Sequence, residues 1–222
     1  MDFSPETIRH IVQMLITLIL SICVHEYGHA IVADKLGDPL PRSQGRTTLN
    51  PVAHADPIGT LLFPLIFLVA TGSLGFGWGK PVQVNPRHFT RKLSMRTGHM
   101  LVAAAGPAMN LLFGAFISLV LLVLLRTSVL DGMHPLAQAL GYAVLLNFIL
   151  AFFNLIPAPP LDGGAVLEGL LPARYLATWH KVAVFGPFLL LAVVAIPQVR
   201  QVFMAPAMWL FQTWTGLIGL TA

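Results

Sequence analysis

The strongest constraint on this chain is an H-E-x-x-H pattern, His25-Glu26-Tyr27-Gly28-His29, set inside a long apolar stretch. The mostly apolar run over residues 8–32 exceeds the roughly 20 residues that a helix needs to cross a bilayer. On a helix, two histidines four positions apart project from one face and can share a zinc ion, with the glutamate between them as general base. Ionisable side chains are costly inside a membrane, so three within five residues indicate a functional site.

The composition indicates a helical membrane protein. The chain is 56% hydrophobic and only 10% charged, whereas soluble domains carry about 25% charged residues. The net charge of +4 is modest and the basic residues lie in loops, so we interpret it as an orientation signal and not as nucleic-acid binding. The single cysteine, Cys23, excludes an internal disulfide.

The apolar runs predict an all-α polytopic membrane protein with five to six transmembrane helices. Ser4-Pro5-Glu6 predicts an N-cap followed by proline at the first helical position. We expect one intramembrane domain over 1–222, with a catalytic core at about 8–170 and C-terminal helices at about 180–220. The predicted full spans are 8–33, 99–126, 136–156, 182–197 and 203–220.

A catalytic zinc site needs a third protein ligand and an open coordination position. Acidic residues are few after the histidine pair. Asp34 and Asp38 follow directly on the end of the predicted helix, and Asp131 falls on the opposite face of the membrane. The remaining candidates are Asp56, Asp162 and Glu168.

Two further motifs distinguish among these candidates. Residues 154–164 read N-x-x-P-x-P-P-x-D-G-G after a predicted span, and residues 106–110 read G-P-x-x-N within another. With H-E-x-x-H in an earlier span, they resemble the site-2 protease family of intramembrane zinc metalloproteases, peptidase family M50, in its compact prokaryotic form without a PDZ or CBS domain. The resemblance covers about residues 8–170.

The resemblance implies roles for individual residues of this chain. His25, His29 and Asp162 would bind Zn²⁺. Glu26 would be the general base, and Asn154 would steady the scissile carbonyl or the tetrahedral intermediate.

Other polar residues near these motifs have more than one interpretation. Asn110 is equally compatible with substrate binding or catalysis and with structural packing, whereas Asn147 is better explained as an interhelical hydrogen-bonding residue. His54 and Asp56 could contact metal or substrate, but hydrogen bonding within their own loop is the favoured explanation.

The remaining apolar stretch, 58–78, is interrupted by proline and glycine, which break helices. If Asp162 joins the histidines at one depth, an even number of crossings separates residues 33 and 157. The spans 99–126 and 136–156 supply two, so 58–78 should enter and return without crossing.

The basic residues favour the same topology. A re-entrant 58–78 gives a ten-to-three split of lysine and arginine across the membrane, against five to eight if 58–78 crosses. The positive-inside rule then predicts a cell-membrane protein whose basic loops and active site face the cytoplasm. The metal would lie roughly 13 Å below that surface, nine residues before Asp34 at 1.5 Å per residue.

Residues 81–86 alternate apolar and polar side chains between two prolines, which is compatible with a short edge strand. A protease must extend a helical substrate before cleaving it, and strand addition is a general way to hold an extended peptide. We therefore expect Val82 and Val84 to lie in a segment that binds substrate.

These observations favour a zinc-dependent intramembrane endopeptidase acting on the transmembrane segment of a single-pass protein or on a remnant signal peptide. A prenyl-protein-type membrane zincin is less favoured, because that chemistry usually takes glutamate as third ligand. A catalytically silent fold that binds membrane helices is disfavoured by the intact Glu26. A metal transporter would need polar residues along a whole pathway, which the spans after residue 182 lack.

Overall fold

The structure is a bundle of α-helices. The computed structural model describes residues 4–71 and 77–217, and that part of the chain contains no β-strand. A π-helical turn (Pro57–Leu62) precedes α4, and 3₁₀ turns occupy Pro86–His88 and Ala173–Tyr175. The α-helices are α1 (Pro5–Lys35), α2 (Leu40–Ser43), α3 (Pro51–His54), α4 (Phe63–Thr71), α5 (Met95–Arg126), α6 (Pro135–Asn154), α7 (Asp162–Leu170), α8 (Leu176–Ala183), α9 (Gly186–Ala195) and α10 (Pro197–Leu217).

The first helix begins where the sequence predicts. The Ser4 side chain accepts a hydrogen bond from the backbone N–H of Thr7 at 3.3 Å, and Pro5 occupies the first turn. Proline is well suited to this position because its missing N–H would have no helical partner there. The predicted N-cap is therefore confirmed.

Helices α1, α5 and α6 form the centre of the bundle. Ala33 near the end of α1 and Val102 near the start of α5 share a buried cluster with Phe89, so these two helices run antiparallel. Ile117 in α5 packs with Val144 and Phe148 of α6 in a second cluster. Described parts of the segment between α1 and α5 contact α1 at Leu18, Cys23 and Glu26, and the end of α6 leads back to this region through Asp162.

In the part of the chain that the structure describes, three helices are long and apolar enough to cross a membrane, namely α1, α5 and α6. A fourth candidate is the pair Ala173–Ala183 and Gly186–Ala195, which is bent by 55° at its break. The structure therefore confirms an all-helical fold with three to four candidate spans, and the larger number of five to six remains a prediction. The last three residues of the predicted span 203–220 lie outside the described residues.

The stretch 58–78 does not form one continuous helix in its described part. Its described helical part is the π-helical turn Pro57–Leu62 followed by α4, whereas residues 77 and 78 have no regular secondary structure. Residues 72–76 lie outside the described residues, and the re-entrant course remains a prediction.

The expected edge strand is not assigned. Residues 77–85 have no regular secondary structure. Val82 and Val84 line one cavity whereas Gln83 is exposed, so the side chains alternate as in extended backbone. The described residues supply no second strand beside this segment, and a strand is defined by its ladder of hydrogen bonds to a partner.

Candidate metal centre

Three ligand atoms from two distant parts of the chain meet in the structure. The Nε2 atoms of His25 and His29 are 3.1 Å apart, and Asp162 Oδ2 lies 3.1 Å from the first and 3.4 Å from the second. Both histidines are buried and the carboxylate is half-buried. Within the described residues this is the one cluster of three or more histidine, cysteine or acidic groups with the spacing of a metal site.

The other ring nitrogens define the tautomer of each histidine. His25 Nδ1 lies 2.6 Å from Asn110 Oδ1, and His29 Nδ1 lies 2.7 Å from the carbonyl oxygen of Val102. A carbonyl oxygen only accepts, so Nδ1–H donates in both rings when the amide presents its oxygen. The Nε2 lone pairs are then left facing each other and Asp162, which is the usual arrangement of metal-binding histidines with outer hydrogen-bond partners.

The arrangement fits a zinc ion. Two imidazole lone pairs and a carboxylate oxygen repel one another at 3.1–3.4 Å, and a metal ion or a proton between them removes this repulsion. Metal–ligand bonds of about 2.0–2.1 Å in a tetrahedron place the ligand atoms roughly 3.3 Å apart. Asp162 Oδ2 is also buried without a hydrogen bond, and buried polar oxygens normally have a partner. Two histidines and one carboxylate are a catalytic-type ligand set, because a fourth position remains open.

The D-G-G sequence explains how Asp162 reaches this position. Asp162 is the first residue of α7, directly after the loop that follows α6. A Cβ atom at Gly163 would collide with the carbonyl oxygens of Leu155 and Ile156. Because only glycine tolerates so close a backbone approach, the loop can fold against the start of α7 and bring the carboxylate to the histidines.

Glu26 faces the same cavity from α1, and a backbone group holds it there. The N–H of Val82 donates to Glu26 Oε2 at 3.1 Å. Such a bond to an ionised carboxylate is stronger than one between neutral groups. The segment predicted to bind substrate therefore also orients the predicted general base.

Asp38 anchors the other end of this segment. Its fully buried carboxylate accepts hydrogen bonds from the N–H of Asn85 at 2.6 Å, from His88 Nδ1 at 2.9 Å and from the N–H of Leu40 at 3.2 Å. Burial acts to raise the pKa of Asp38, but these hydrogen bonds outweigh it and hold the pKa below its ordinary value. The sequence predicted only a helix-boundary residue here, whereas the side chain holds Asn85, at the end of this segment, and His88.

Asn154, the last residue of α6, also lines the cavity. One of its amide hydrogens is used by the carbonyl oxygen of Leu150, at a distance of 2.9 Å. A carboxamide has two N–H donors, so the second remains available to a group in the cavity.

A cavity of about 870 Å³ connects these groups. His25, Glu26, His29 and Asp162 line its wall together with Val82 and Val84. Most of the remaining wall is apolar and comes from α1, α6 and α9, including Leu18, Ile22, Leu146, Ile149, Leu190 and Val194. The centre is thus open to a ligand with large apolar side chains.

Asn110 differs in its environment from a substrate-binding residue. Its side chain is fully buried and does not line the cavity. It is hydrogen-bonded to His25, Ser21 and Asn147. We therefore infer that Asn110 supports the candidate metal ligand His25 and does not contact substrate. Asn147 makes the interhelical hydrogen bonds expected of it.

His54 and Asp56 make hydrogen bonds within their own loop, as the favoured interpretation predicted. The Nε2 of His54 lies 2.8 Å from the carbonyl oxygen of Thr48, and Asp56 accepts from the N–H groups of Ile58 and Gly59 at 2.9 and 2.7 Å. Neither side chain lines the cavity. Glu168 lies near His180 at 3.4 Å and belongs to no metal cluster in the described structure.

Gly106, the first residue of the G-P-x-x-N motif, packs directly against both histidine rings. One contributor to the centre was not predicted. The carbonyl group of Val102 orients His29. No sequence signal marks such a contact, since every residue carries a backbone carbonyl.

A bundle of apolar helices that buries H-E-x-x-H beside a distant aspartate defines a membrane-embedded metal-dependent hydrolase. The profile of peptidase family M50 matches residues 132–194. YwhC of Bacillus subtilis (strain 168), provisionally named a zinc metalloprotease, is 41% identical over 191 residues, which cover 83% of this chain and 80% of YwhC. This chain belongs to peptidase family M50 and is a metalloprotease by that relationship.

More distant relatives carry similar names. Rip2 of Mycobacterium tuberculosis (strain H37Rv), also provisionally named a zinc metalloprotease, is 32% identical over 87% of this chain and 70% of Rip2. The zinc metalloprotease MJ0392 of Methanocaldococcus jannaschii is 26% identical over 73% of this chain and 35% of its own length. No solved structure matches the chain significantly.

Proposed function

We propose that this protein is a zinc-dependent intramembrane endopeptidase. Its substrates are the transmembrane segments of single-pass membrane proteins or remnant signal peptides, and its partners are these helices and the lipid bilayer. The observation that carries the proposal is the meeting of His25, His29 and Asp162 within 3.1–3.4 Å of one another in a largely apolar cavity. Such a site is suited to peptide hydrolysis among hydrophobic side chains.

Each residue of the proposed site has its own role in peptide hydrolysis. His25, His29 and Asp162 would hold zinc, which when bound supplies Lewis-acid polarisation of a carbonyl and lowers the pKa of a nearby water. Glu26 removes a proton from the attacking water and delivers it to the departing amine. The hydrogen bond from Val82 keeps the Glu26 carboxylate directed into the cavity.

Asn154 is proposed to stabilise the charge that develops on the scissile carbonyl oxygen. Its second amide hydrogen is free of the bond to Leu150. Preorganised donors of this kind typically contribute about 3–4 kcal/mol to the transition state.

The proposed substrate strand would lie along residues 82–84. In extended backbone, the N–H and C=O groups of every second residue point to the same edge. The N–H and C=O of Val84 therefore point to the same edge as the N–H of Val82, which donates to Glu26. Among the described residues, nothing accepts a hydrogen bond from the N–H of Val84. This free donor beside the base supports pairing with an unwound substrate.

We further propose that the site faces the cytoplasmic side of the cell membrane. The exposed basic residues Arg87, Arg91 and Lys92 lie close in sequence to Phe89, which packs with Ala33 near the end of α1 and Val102 near the start of α5. The positive-inside rule favours the cytoplasm for this end.

Replacing Asp162 with alanine tests the metal site. We expect D162A to lose both zinc and proteolysis, because two histidines alone leave the ion short of a ligand. Zinc per chain is measured on protein purified in detergent, and cleavage of a single-pass substrate is measured in proteoliposomes with the cut located by mass spectrometry. The control is D131A, which removes an exposed carboxylate in the loop between α5 and α6. Full zinc in D162A, or cuts confined to soluble segments, would contradict the proposal.

Proline substitutions along residues 82–84 test the substrate strand. Proline removes an N–H, so V84P should abolish cleavage while zinc content stays at the wild-type level. V82P should also abolish it, since it removes the hydrogen bond to Glu26 as well.

The matched control is Q83P, whose lost N–H points to the opposite edge of the segment. We expect Q83P to retain most of the activity. Equal activities of V84P and Q83P would exclude pairing on the side that faces the base.

A further inference from the structure

A chain of buried hydrogen bonds runs from α6 through α5 to the first histidine of the centre. Asn147 Nδ2 donates to the carbonyl oxygen of Ala143 at 2.8 Å and to Ser21 Oγ at 2.9 Å. Asn110 Nδ2 donates to Asn147 Oδ1 at 2.9 Å and to the carbonyl oxygen of Ser21 at 3.1 Å. Asn110 Oδ1 then faces His25 Nδ1 at 2.6 Å. Both asparagines and Ser21 are fully buried, so no solvent competes for these bonds.

The direction of every bond in this chain is set by backbone carbonyls, which can only accept. Because Ala143 offers a carbonyl oxygen, the end of the Asn147 amide that faces it is the NH₂ group. Asn147 therefore turns its oxygen towards Asn110, and the NH₂ group of Asn110 donates to that oxygen. The oxygen of Asn110 is left for His25, and His25 Nδ1 carries the proton.

The opposite orientation of Asn110 would disable the metal site. Its NH₂ group would then face His25 Nδ1, which would have to accept a hydrogen bond. The ring proton would move to Nε2, the atom that lies 3.1 Å from Asp162 Oδ2. A protonated Nε2 has no lone pair for a metal ion.

We infer that Asn147 is a positioning residue that fixes the metal-binding tautomer of His25 through Asn110. Asn147 contacts neither metal ligand nor cavity; it acts by presenting an acceptor to the amide that supports His25. Ser21 contributes in two ways, since its carbonyl holds Asn110 and its hydroxyl holds Asn147. The inference rests on the metal centre proposed above and assigns a role in metal affinity to a residue outside the family motifs.

Zinc affinity measured by competition with a chelator tests this inference without any activity assay. N147L removes the acceptor that faces Asn110, and we expect its zinc dissociation constant to rise about tenfold, the lower end of the range for outer partners of metal ligands. N147D, which burial keeps neutral, can donate its O–H to the carbonyl oxygen of Ala143 and still present an oxygen to Asn110, so its affinity should stay within about threefold of wild type.

The matched control is S118A. Ser118 is another fully buried polar residue of α5 and accepts a hydrogen bond from Trp214 Nε1 at 2.6 Å, remote from the centre. S118A removes a buried interhelical bond of the same kind, so it should lower thermal stability and leave zinc affinity unchanged. Should N147L fail to fold, N147S is measured in its place, since serine is too short to reach Asn110.

The outcomes separate this inference from the proposed function. Zinc binding in wild type that is lost in H25A establishes the centre, and its absence in wild type would refute the proposed function. With the centre established, a tenfold loss in N147L against near-normal affinity in N147D supports the inference. A dissociation constant for N147L within twofold of S118A, or a loss in N147D equal to that in N147L, would overturn it.

Discussion

Glu26→Gln is expected to abolish proteolysis while the protein keeps a full complement of zinc. Glutamine has the shape of glutamate and still offers an oxygen to the N–H of Val82, so the local geometry at 3.1 Å is preserved. It cannot take up a proton at neutral pH, and loss of general acid–base catalysis costs typically 10²–10⁴-fold in rate. Turnover of a single-pass substrate in proteoliposomes and zinc content by elemental analysis are measured on the same preparation.

The control for this experiment is Glu168→Gln. Glu168 lies in α7, close to the centre in sequence, but its carboxylate lies beside His180 at 3.4 Å and not in the cavity. E168Q should retain wild-type turnover. Activity of E26Q above about a tenth of wild type, with normal zinc content, would assign the base to another residue.

Much of the membrane core follows from simple sequence signals. Ser4 and Pro5 mark the start of α1, and the apolar runs at 99–126 and 136–156 correspond to α5 and α6 within a few residues. The predicted span 182–197 is different, because the chain bends between α8 and α9. Proline is favoured in the first turn of a helix, and Pro187 lies in the first turn of α9, so a signal for the new helix was present in the sequence.

The ligands of the centre could be predicted from the sequence, but most of their supports could not. His25, His29 and Asp162 have side chains that can bind metal, and they occur in recognisable motifs. Their partners include the carbonyl oxygen of Val102, a group that every residue has.

The segment 77–85 shows what an alternating pattern of apolar and polar residues can and cannot predict. Alternation predicts which side chains share a face, and Val82 and Val84 do line the cavity. The pattern cannot supply a neighbouring strand. Here side-chain carboxylates of Glu26 and Asp38 take the backbone N–H groups that a strand would have paired.

Gly106→Ala is expected to eliminate zinc binding although no ligand is changed. A Cβ atom at this position would collide with His29 Nε2 and would lie 2.5 Å from His29 Cε1 and 2.7 Å from His25 Cε1. These atoms cannot retreat freely, because His25 and His29 are each held through Nδ1 at 2.6 and 2.7 Å. The rings must therefore turn away from Asp162, and the ligand atoms separate. Zinc per chain, chelator competition and cleavage should all show the loss.

Gly114→Ala provides the matched control on the same helix. A Cβ at Gly114 would lie 2.8 Å from Cε1 of Phe148, a buried aromatic ring of α6. Both variants overpack a helix interface, which typically costs 1–3 kcal/mol of stability, so both should unfold at lower temperature. Only G106A should release zinc, because only there does the added methyl group meet the ligands. Equal zinc affinity in the two variants would mean that the histidine rings do not lie against α5, and the geometry of the centre would have to be abandoned.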